Sequence, residues 1–506
     1  MSIRLQSSTF NGIDGVIVAV EIDIARGLPA FNIVGLANAS VRESRERVHS
    51  AIINSGFEFP LGKITVNLAP ADIPKEGALL DLPIAIGILL ATEQIECNSL
   101  HKWILVGELS LDGDINSVKG ALAVVIEGMN NGIKKFIVPM DNADECSSLN
   151  SAEVFPFEKL KHVANFLQHQ DMLPYKCSHE FKREKSNRDF SDIIGQNASK
   201  RALEIACAGG HNIIIFGPPG CGKSMLASRV PTILPDLTYE EALDITKIYS
   251  IVGKLDKNEG LIYERPFRSP HHSSSKAALV GGGSKLLPGE VSLSHHGVLF
   301  LDELLEFKRD VLEVLREPLE SRTITISRNT GSVTYPASFM LIGALNPCIC
   351  GNYLNEMKQC TCTEAQRLNY LNRLSGPFLD RIDIFTFAHQ HKYEEMCCQS
   401  SEETSASIKR RVELARQIQR DRFKNLSIYQ NSEMNGELLK KYCNIGKDAK
   451  GCLERYFRRF PFSMRAYNRI LKIGRTIADL QASNQIKTCH IVEAISYRQF
   501  INGNVI

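Results

Sequence analysis

Net charge, long apolar runs and repetition are all scarce in this chain of 506 residues. The formal net charge is only +2, so the molecule as a whole is no polyelectrolyte partner for nucleic acid, and any basic surface has to be local. The most apolar run, IAIGILLA at 84–91, is far too short to cross a bilayer, so no membrane partner is expected. The opening stretch MSIRLQSSTFNGIDG has no long apolar core of the kind an export signal carries. No internal repeat or long low-complexity tract is found. What is present fits a soluble globular protein: 43% hydrophobic and 23% charged residues. The length predicts roughly two to four domains. Fourteen cysteines without an export signal imply a reducing, cytoplasmic setting, where thiols are free, catalytic or metal-bound rather than paired.

Along the chain, GVIVAVEIDI and KITVNLA read as strands, and SVRESRERVHSAIINSG reads as a helix ended by Gly56. The polar stretch LPYKCSHEFKREKSNRD reads as a linker. From about residue 190 the pattern becomes strand, loop, helix: NIIIFG then KSMLASRV, later GVLFLDE, later FMLIGALNP. Strands that are apolar throughout predict a parallel sheet covered by helices on both faces. After about residue 395 the chain reads as helical and more basic.

GPPGCGKS fits G-x-x-x-x-G-K-[ST] and lies between a strand and a helix, the context that pattern needs. Gly217 and Gly222 let the backbone turn its amides toward phosphates, with Pro218, Pro219, Gly220 and Cys221 between them. Lys223 reaches the outer phosphates of ATP, and Ser224 ligates Mg²⁺. VLFLDE is an apolar strand ending in two acids. Ionised carboxylates there are costly unless they hold a metal or act on substrate. Asp302 is expected to orient Mg²⁺ and Glu303 to polarise the attacking water.

Together these residues resemble the AAA+ ATPases, and within them the magnesium-chelatase-like group. Closer still, RPFRSPHHSSSKAALVGGG, PGEVSLSHHGVLFLDELLEF, NPCICG and SGPFLDRIDIF are similar in order and spacing to the ComM/YifB family, over nearly the full length. The resemblance implies an α/β AAA+ core over 191–395, a helical lid over 396–506, and a linker over 166–190. It implies that Ile194 and Gly195, in DIIGQNASKRALEIA, belong to the nucleotide-binding lead-in. Asn346, by itself an ordinary turn residue, would help position the water. Arg381 in FLDRID resembles an arginine finger reaching a neighbour's ATP, and Arg465 a second sensor arginine on the lid. TITISRNTGSVTYPA alternates with period two around NTG and reads as a β-hairpin. In related ring ATPases an equivalent hairpin points into the pore, where Arg328 could meet a DNA phosphate. The pairs His271–His272 and His295–His296 read as structural, because adjacent side chains on extended chain point to opposite faces.

Residues 1–165 resemble a Lon-type protease domain, through VNLAPADIPKEGALLDLPIAIGIL and VGELSLDGDINSVKGALAV. That chemistry needs a serine nucleophile and a lysine base. The two positions align with Leu79 and Leu122, and Lys75, Ser117 and Lys119 are out of register. The expectation is a Lon-like α+β fold without peptidase activity.

NPCICGNYLNEMKQCTC places Cys348 and Cys350 nine residues from Cys360 and Cys362. Four thiolates suit tetrahedral Zn²⁺ with no open position. The residues favour structural zinc bracing the loop after Asn346 over four idle thiols. The segment 408–425 has seven Lys/Arg against two acids, and 454–472 interleaves arginine with aromatics. The interleaving in 454–472 suits phosphate contact and base stacking, although a basic amphipathic helix is more often a solvated face and the aromatics could be lid core.

The family resemblance implies a homo-oligomeric, hexameric ATPase that moves single-stranded or branched DNA: a helicase or translocase promoting branch migration during recombination in natural transformation (competence). The alternatives are a chelatase-type motor subunit, a remodeller of another substrate, or an ATP-dependent protease. No Asp-x-Ser-x-Ser motif of a chelatase partner is present, and the leucines oppose the protease.

Overall fold

The computed structural model describes residues 2–36, 39–73, 75, 77–97, 99–177, 188–256, 260–283, 286–328, 331–355, 358–390, 402–459 and 463–498. Residues 178–187 of the expected linker, the hairpin tip at 329–330 and the aromatic stretch at 460–462 lie outside these residues. The chain divides into two compact units, Met1–Lys182 with Thr238–Tyr263, and Arg183–Leu237 with Glu264–Ile506.

The first unit is built on a seven-stranded mixed sheet, in the order Ala30–Val34, Lys63–Ala69, Asp14–Ala25, Ile3–Asn11, Trp103–Leu105, Lys135–Pro139, Glu153–Phe157. Three antiparallel strands at its centre start from the meander Ile3–Asn11/Asp14–Ala25, and the last three strands run parallel. The apolar run 84–91 lies in the helix Asp81–Ala91, buried from Asp81 to Leu90. A Cβ on Gly87 would come 2.3 Å from Ile22 Cδ1, so glycine lets this helix press against the sheet. The helix Ala39–Asn54 ends before Gly56, which takes φ +86°.

The segment 238–263 departs from the expected boundaries. It falls inside the expected range 191–395, yet it packs as part of the first unit. Its helix Tyr239–Val252 is capped by Thr238 and Glu241. It is tied down by Lys247 Nζ to Asp14 Oδ1 at 2.8 Å, Gly120 N to Ser250 O at 3.1 Å, and Tyr239 Oη to Ser148 O at 3.1 Å.

The second unit holds a five-stranded sheet, all parallel, in the order Phe267–Arg268, Val298–Leu301, Met340–Leu345, Ile213–Phe216, Ile384–Phe387. The four longer strands are buried at every position, as their apolar sequences predict. The hairpin Thr323–Arg328/Gly331–Pro336 pairs from Thr323↔Pro336 to Arg328↔Gly331. Its inward Ile324 and Ile326 are buried and its outward faces are exposed.

Beyond residue 402 the described chain is helical: Ser405–Phe423, Gly436–Tyr442, Lys447–Arg459, Met464–Leu480 and Thr488–Ser496. Several basic residues of the segment 408–425 are internal ties. Arg411 pairs with Glu204 at 2.5 Å and with Glu403, Arg416 donates to Cys207 O, and Arg422 pairs with buried Asp479. Arg410, Arg420 and Lys424 remain exposed. Tyr456, Phe457 and Tyr467 pack against the core. Among the described residues no helix is long and apolar enough to cross a membrane.

Candidate active site

Three neighbouring strands of the parallel sheet end at one place. Ile213–Phe216 delivers the loop Gly217–Gly222, Val298–Leu301 delivers Asp302 and Glu303, and Met340–Leu345 delivers Asn346. Parallel pairing puts all three C-terminal ends on the same edge, where ligands of such sheets bind. The loop needs glycine for two reasons. Gly220 and Gly222 hold φ of +79° and +86°, and a Cβ on Gly217 would sit 2.5 Å from Ala388 O.

Lys223 opens the helix Lys223–Arg229 and turns its ammonium back over the loop. Nζ donates to Gly217 O at 2.7 Å, Pro218 O at 2.9 Å and Asn346 Oδ1 at 3.1 Å. Burial lowers its pKa, partly offset by Asp302 and Glu303. Ser224 Oγ donates to Asp302 Oδ2 at 2.6 Å, and Glu303 N donates to Asp302 Oδ1 at 2.9 Å. A hydroxyl and a carboxylate oxygen, in contact, form the hard-oxygen donor set that Mg²⁺ takes. Glu303 adopts a left-handed conformation, φ +48°, rare for a residue with a side chain. Its carboxylate stays more than half exposed, and Oε2 lies 3.3 Å from His272 Nδ1. Sequence reasoning set His272 aside as structural. The signal available was its position after the edge strand Phe267–Arg268, which pairs directly with the strand bearing Glu303.

The lead-in segment is clamped to this unit. Gly195 N donates to Glu402 Oε1 at 2.7 Å, Lys200 Nζ pairs with Glu402 at 2.6 Å and also reaches Ile193 O, and Gln196 Nε2 donates to His389 O at 2.6 Å. Ile194 is exposed beside them.

Arg381 and Arg465 are brought to a different place from Lys223. Together they line a cavity of about 430 Å³ with Arg322, Asp383, Arg469 and Lys472. Asp383 is buried there. Burial opposes its charge, but Arg469 at 2.5 Å and His211 at 3.3 Å hold its carboxyl well below the usual range. Arg465 is exposed.

The four cysteines converge. Cys348, Cys350 and Cys360 have Sγ–Sγ distances of 3.4, 3.7 and 3.6 Å, and all four ligand atoms lie within 4.8 Å of one another. Tyr353 N donates to Cys348 Sγ at 3.3 Å, and backbone donors led by Asn352 draw the Cys350 thiol down to about 5. Backbone amides aimed at sulfur are what a thiolate cluster requires. The cluster abuts the phosphate loop: a Cβ on Gly351 would come 2.7 Å from Pro219 Cδ.

Set beside known proteins, residues 189–396 match the model for magnesium chelatase, subunit ChlI. Residues 20–142 match subunit ChlI of Mg-chelatase, and 402–498 its C-terminal model. The chain is 44% identical over 495 residues to a protein of Salmonella typhimurium called uncharacterized protein YifB, covering 96% of this chain and 95% of that one. It is 41% identical over 500 residues to competence protein ComM of Haemophilus influenzae, covering 97% and 96%. This chain belongs to the ComM/YifB family of magnesium-chelatase-like proteins. Its fold is the α/β AAA+ type with a helical C-terminal region. The magnesium-chelatase 67 kDa subunit of Chlorobaculum parvum is a more distant relative, 27% identical over 164 residues, covering 31% of this chain and 23% of that one. The ComM/YifB likeness therefore extends through both compact units, as the chelatase family models do, while the Chlorobaculum parvum subunit aligns over 164 residues.

Proposed function

We propose that this member of the ComM/YifB family hydrolyses ATP as a homo-oligomeric ring, a hexamer by family likeness, to move branched or single-stranded DNA in the cytoplasm. On this reading it drives branch migration during recombination of incoming DNA in competence. The observation that carries the ATPase reading is the meeting of Lys223, Ser224, Asp302, Glu303 and Asn346 at one sheet edge. Loop amides from Gly217 to Gly222 cradle the phosphates, and Lys223 neutralises the outer ones. Glu303 accepts a hydrogen bond from the attacking water and so polarises it, while Asn346 helps to position that water. Arg381 acts on the phosphates of a neighbouring copy, which makes the oligomer part of the site, and Arg465 serves as a second sensor arginine on the lid. Ser224 and Asp302 would hold Mg²⁺, which would supply charge neutralisation to the phosphates when bound.

The DNA reading is supported by the relative named competence protein ComM, by exposed Arg328 at the end of the hairpin, and by exposed Arg410, Arg420 and Lys424. A chelatase motor is the weaker reading, because YifB of Salmonella typhimurium and ComM of Haemophilus influenzae align over 96% and 97% of this chain, whereas the Chlorobaculum parvum chelatase subunit aligns over 31% of it. ATPase activity measured with branched DNA, a porphyrin–magnesium mixture or unfolded protein separates the readings. Only DNA is expected to stimulate, with an effect that falls steeply as salt rises, since translocation relies on phosphate contacts. Stimulation by porphyrin or unfolded protein alone overturns the DNA assignment.

The cysteine cluster is proposed as a structural Zn²⁺ site. Four sulfurs within reach of one ion, with amides directed at them, leave no coordination position for chemistry. Contact between Gly351 and Pro219 makes the cluster a brace for the phosphate loop. About one zinc per chain in protein purified under reducing conditions is the expected elemental analysis. Freely titratable thiols in metal-free folded protein would sink the assignment.

A further inference from the structure

The Arg381 guanidinium is engaged on three sides within its own chain. Nε donates to Arg316 O at 3.0 Å and Nη1 to Pro377 O at 2.6 Å. Nη2 pairs with the carboxylate of Glu320. The side chain of Arg381 is 12% exposed, whereas that of Glu320 is 63% exposed. Both line an open cavity of about 1030 Å³ with Lys276, Arg309 and Thr325.

The three partners differ in kind. The two carbonyls are neutral and fixed in the backbone, so they set the plane of the guanidinium without consuming its charge. Glu320 is ionic and solvent-facing. A carboxylate and a phosphoryl group compete for the same planar fork of donors. We infer that Glu320 is a positioning residue: its carboxylate stands in the place of a phosphoryl group on Arg381 and is displaced when a neighbouring copy presents its nucleotide. This rests on the reading of Arg381 as a finger acting in trans. Triphosphate bears more charge than carboxylate, so the exchange is favourable once subunits meet. Glu320, the partner that leaves, is largely exposed, so water solvates its carboxylate once the pair opens. The pair is an interlock: a lone chain keeps its finger folded onto itself, and only apposed nucleotide draws it out.

The test is steady-state ATP hydrolysis by the full-length assembled protein, titrated with ATP. Glu320→Gln keeps the shape and removes the charge, so the KM for ATP should fall about threefold while kcat stays within about twofold. Glu320→Asp restores the charge and should return KM toward the wild-type value. Thermal melting and oligomer size should match wild type in both. A Gln variant with unchanged KM, or with kcat reduced as a merely structural residue would reduce it, overturns the inference. Arg381→Ala separates this from the underlying reading. Loss of turnover in Arg381→Ala, with or without Glu320→Gln, upholds the finger. Wild-type turnover in Arg381→Ala removes the finger, and the interlock with it.

Discussion

Each unit places a carboxylate at a junction of strand and helix, and the two carboxylates have opposite fates. In the first unit, Asp81 opens the buried helix Asp81–Ala91 and is saturated by the fold. Arg47 Nε lies 2.6 Å away, Leu109 N donates at 3.3 Å, and Ser44 also donates to it. In the second unit, Asp302 and Glu303 follow a buried strand, yet Glu303 stays 58% exposed and held from one side by His272. A charge whose acceptor sites are all met internally is structural. A charge held at the rim of a sheet, in a left-handed backbone turn, is available to a ligand. The same contrast runs through the Lon-like resemblance. Leu79 and Leu122, which that resemblance aligns with the dyad, are buried, Ser117 and Lys119 are exposed, and Lys75 is buried against Pro70 O. No nucleophile–base pair arises among these residues.

The largest expected effects set the chemistry proposed for the second unit against the first, for which none is proposed. Lys223→Ala should weaken nucleotide binding, and Glu303→Gln should leave binding intact while turnover falls by at least ~100-fold. Fluorescent-nucleotide titration and phosphate release distinguish the two. The contrast breaks if Leu122→Ala, in folded protein, reduces turnover to the same degree.

That leucine should matter in another way. Leu122 is fully buried in the helix Ala121–Asn130, so truncation to alanine removes packing and leaves a cavity costing about 2–5 kcal/mol. Hydrogen exchange of the helix amides should accelerate accordingly, with no peptidase activity before or after. Unchanged protection would mean that the helix is not held by the packing described.

Local order was legible in the sequence, and long-range pairing was not. Strand GVIVAVEIDI, the helix ended by Gly56, the phosphate loop and the hairpin around NTG follow from periodicity and turn residues within one window. The pairs Glu320–Arg381, Gly195–Glu402 and Arg422–Asp479 join residues 61, 207 and 57 positions apart, and no local pattern encodes them. For the same reason the basic stretch 408–425 reads as a solvated face, although four of its seven basic residues, Lys409, Arg411, Arg416 and Arg422, are tied to acids and carbonyls elsewhere in the unit. The placement of 238–263 in the first unit is a third instance: a good capping box declares the helix but not the sheet it joins.

The smallest expected effect separates a buried neutral group from the charged ones around it. His295 Nδ1 accepts from Ser338 N at 3.0 Å, which requires that nitrogen to be unprotonated. Burial, then His296 and Arg322, hold its pKa well below the ordinary value of about 6.5. In the unfolded chain the imidazole binds a proton near that ordinary value, and in the folded chain it does not. Stability is therefore fully present above about pH 6.5 and is lost as pH falls below it, by at most about 1.4 kcal/mol per pH unit from this site, until the folded pKa is reached. His211, also buried with a lowered pKa, adds a slope of the same sign. His295→Asn retains an acceptor for the Ser338 amide and removes the titration, so melting temperatures between pH 5 and 7 should fall less steeply than in wild type without becoming flat. An identical slope in the variant would mean that His295 takes up its proton in the folded chain, and that the Ser338 bond does not hold it neutral.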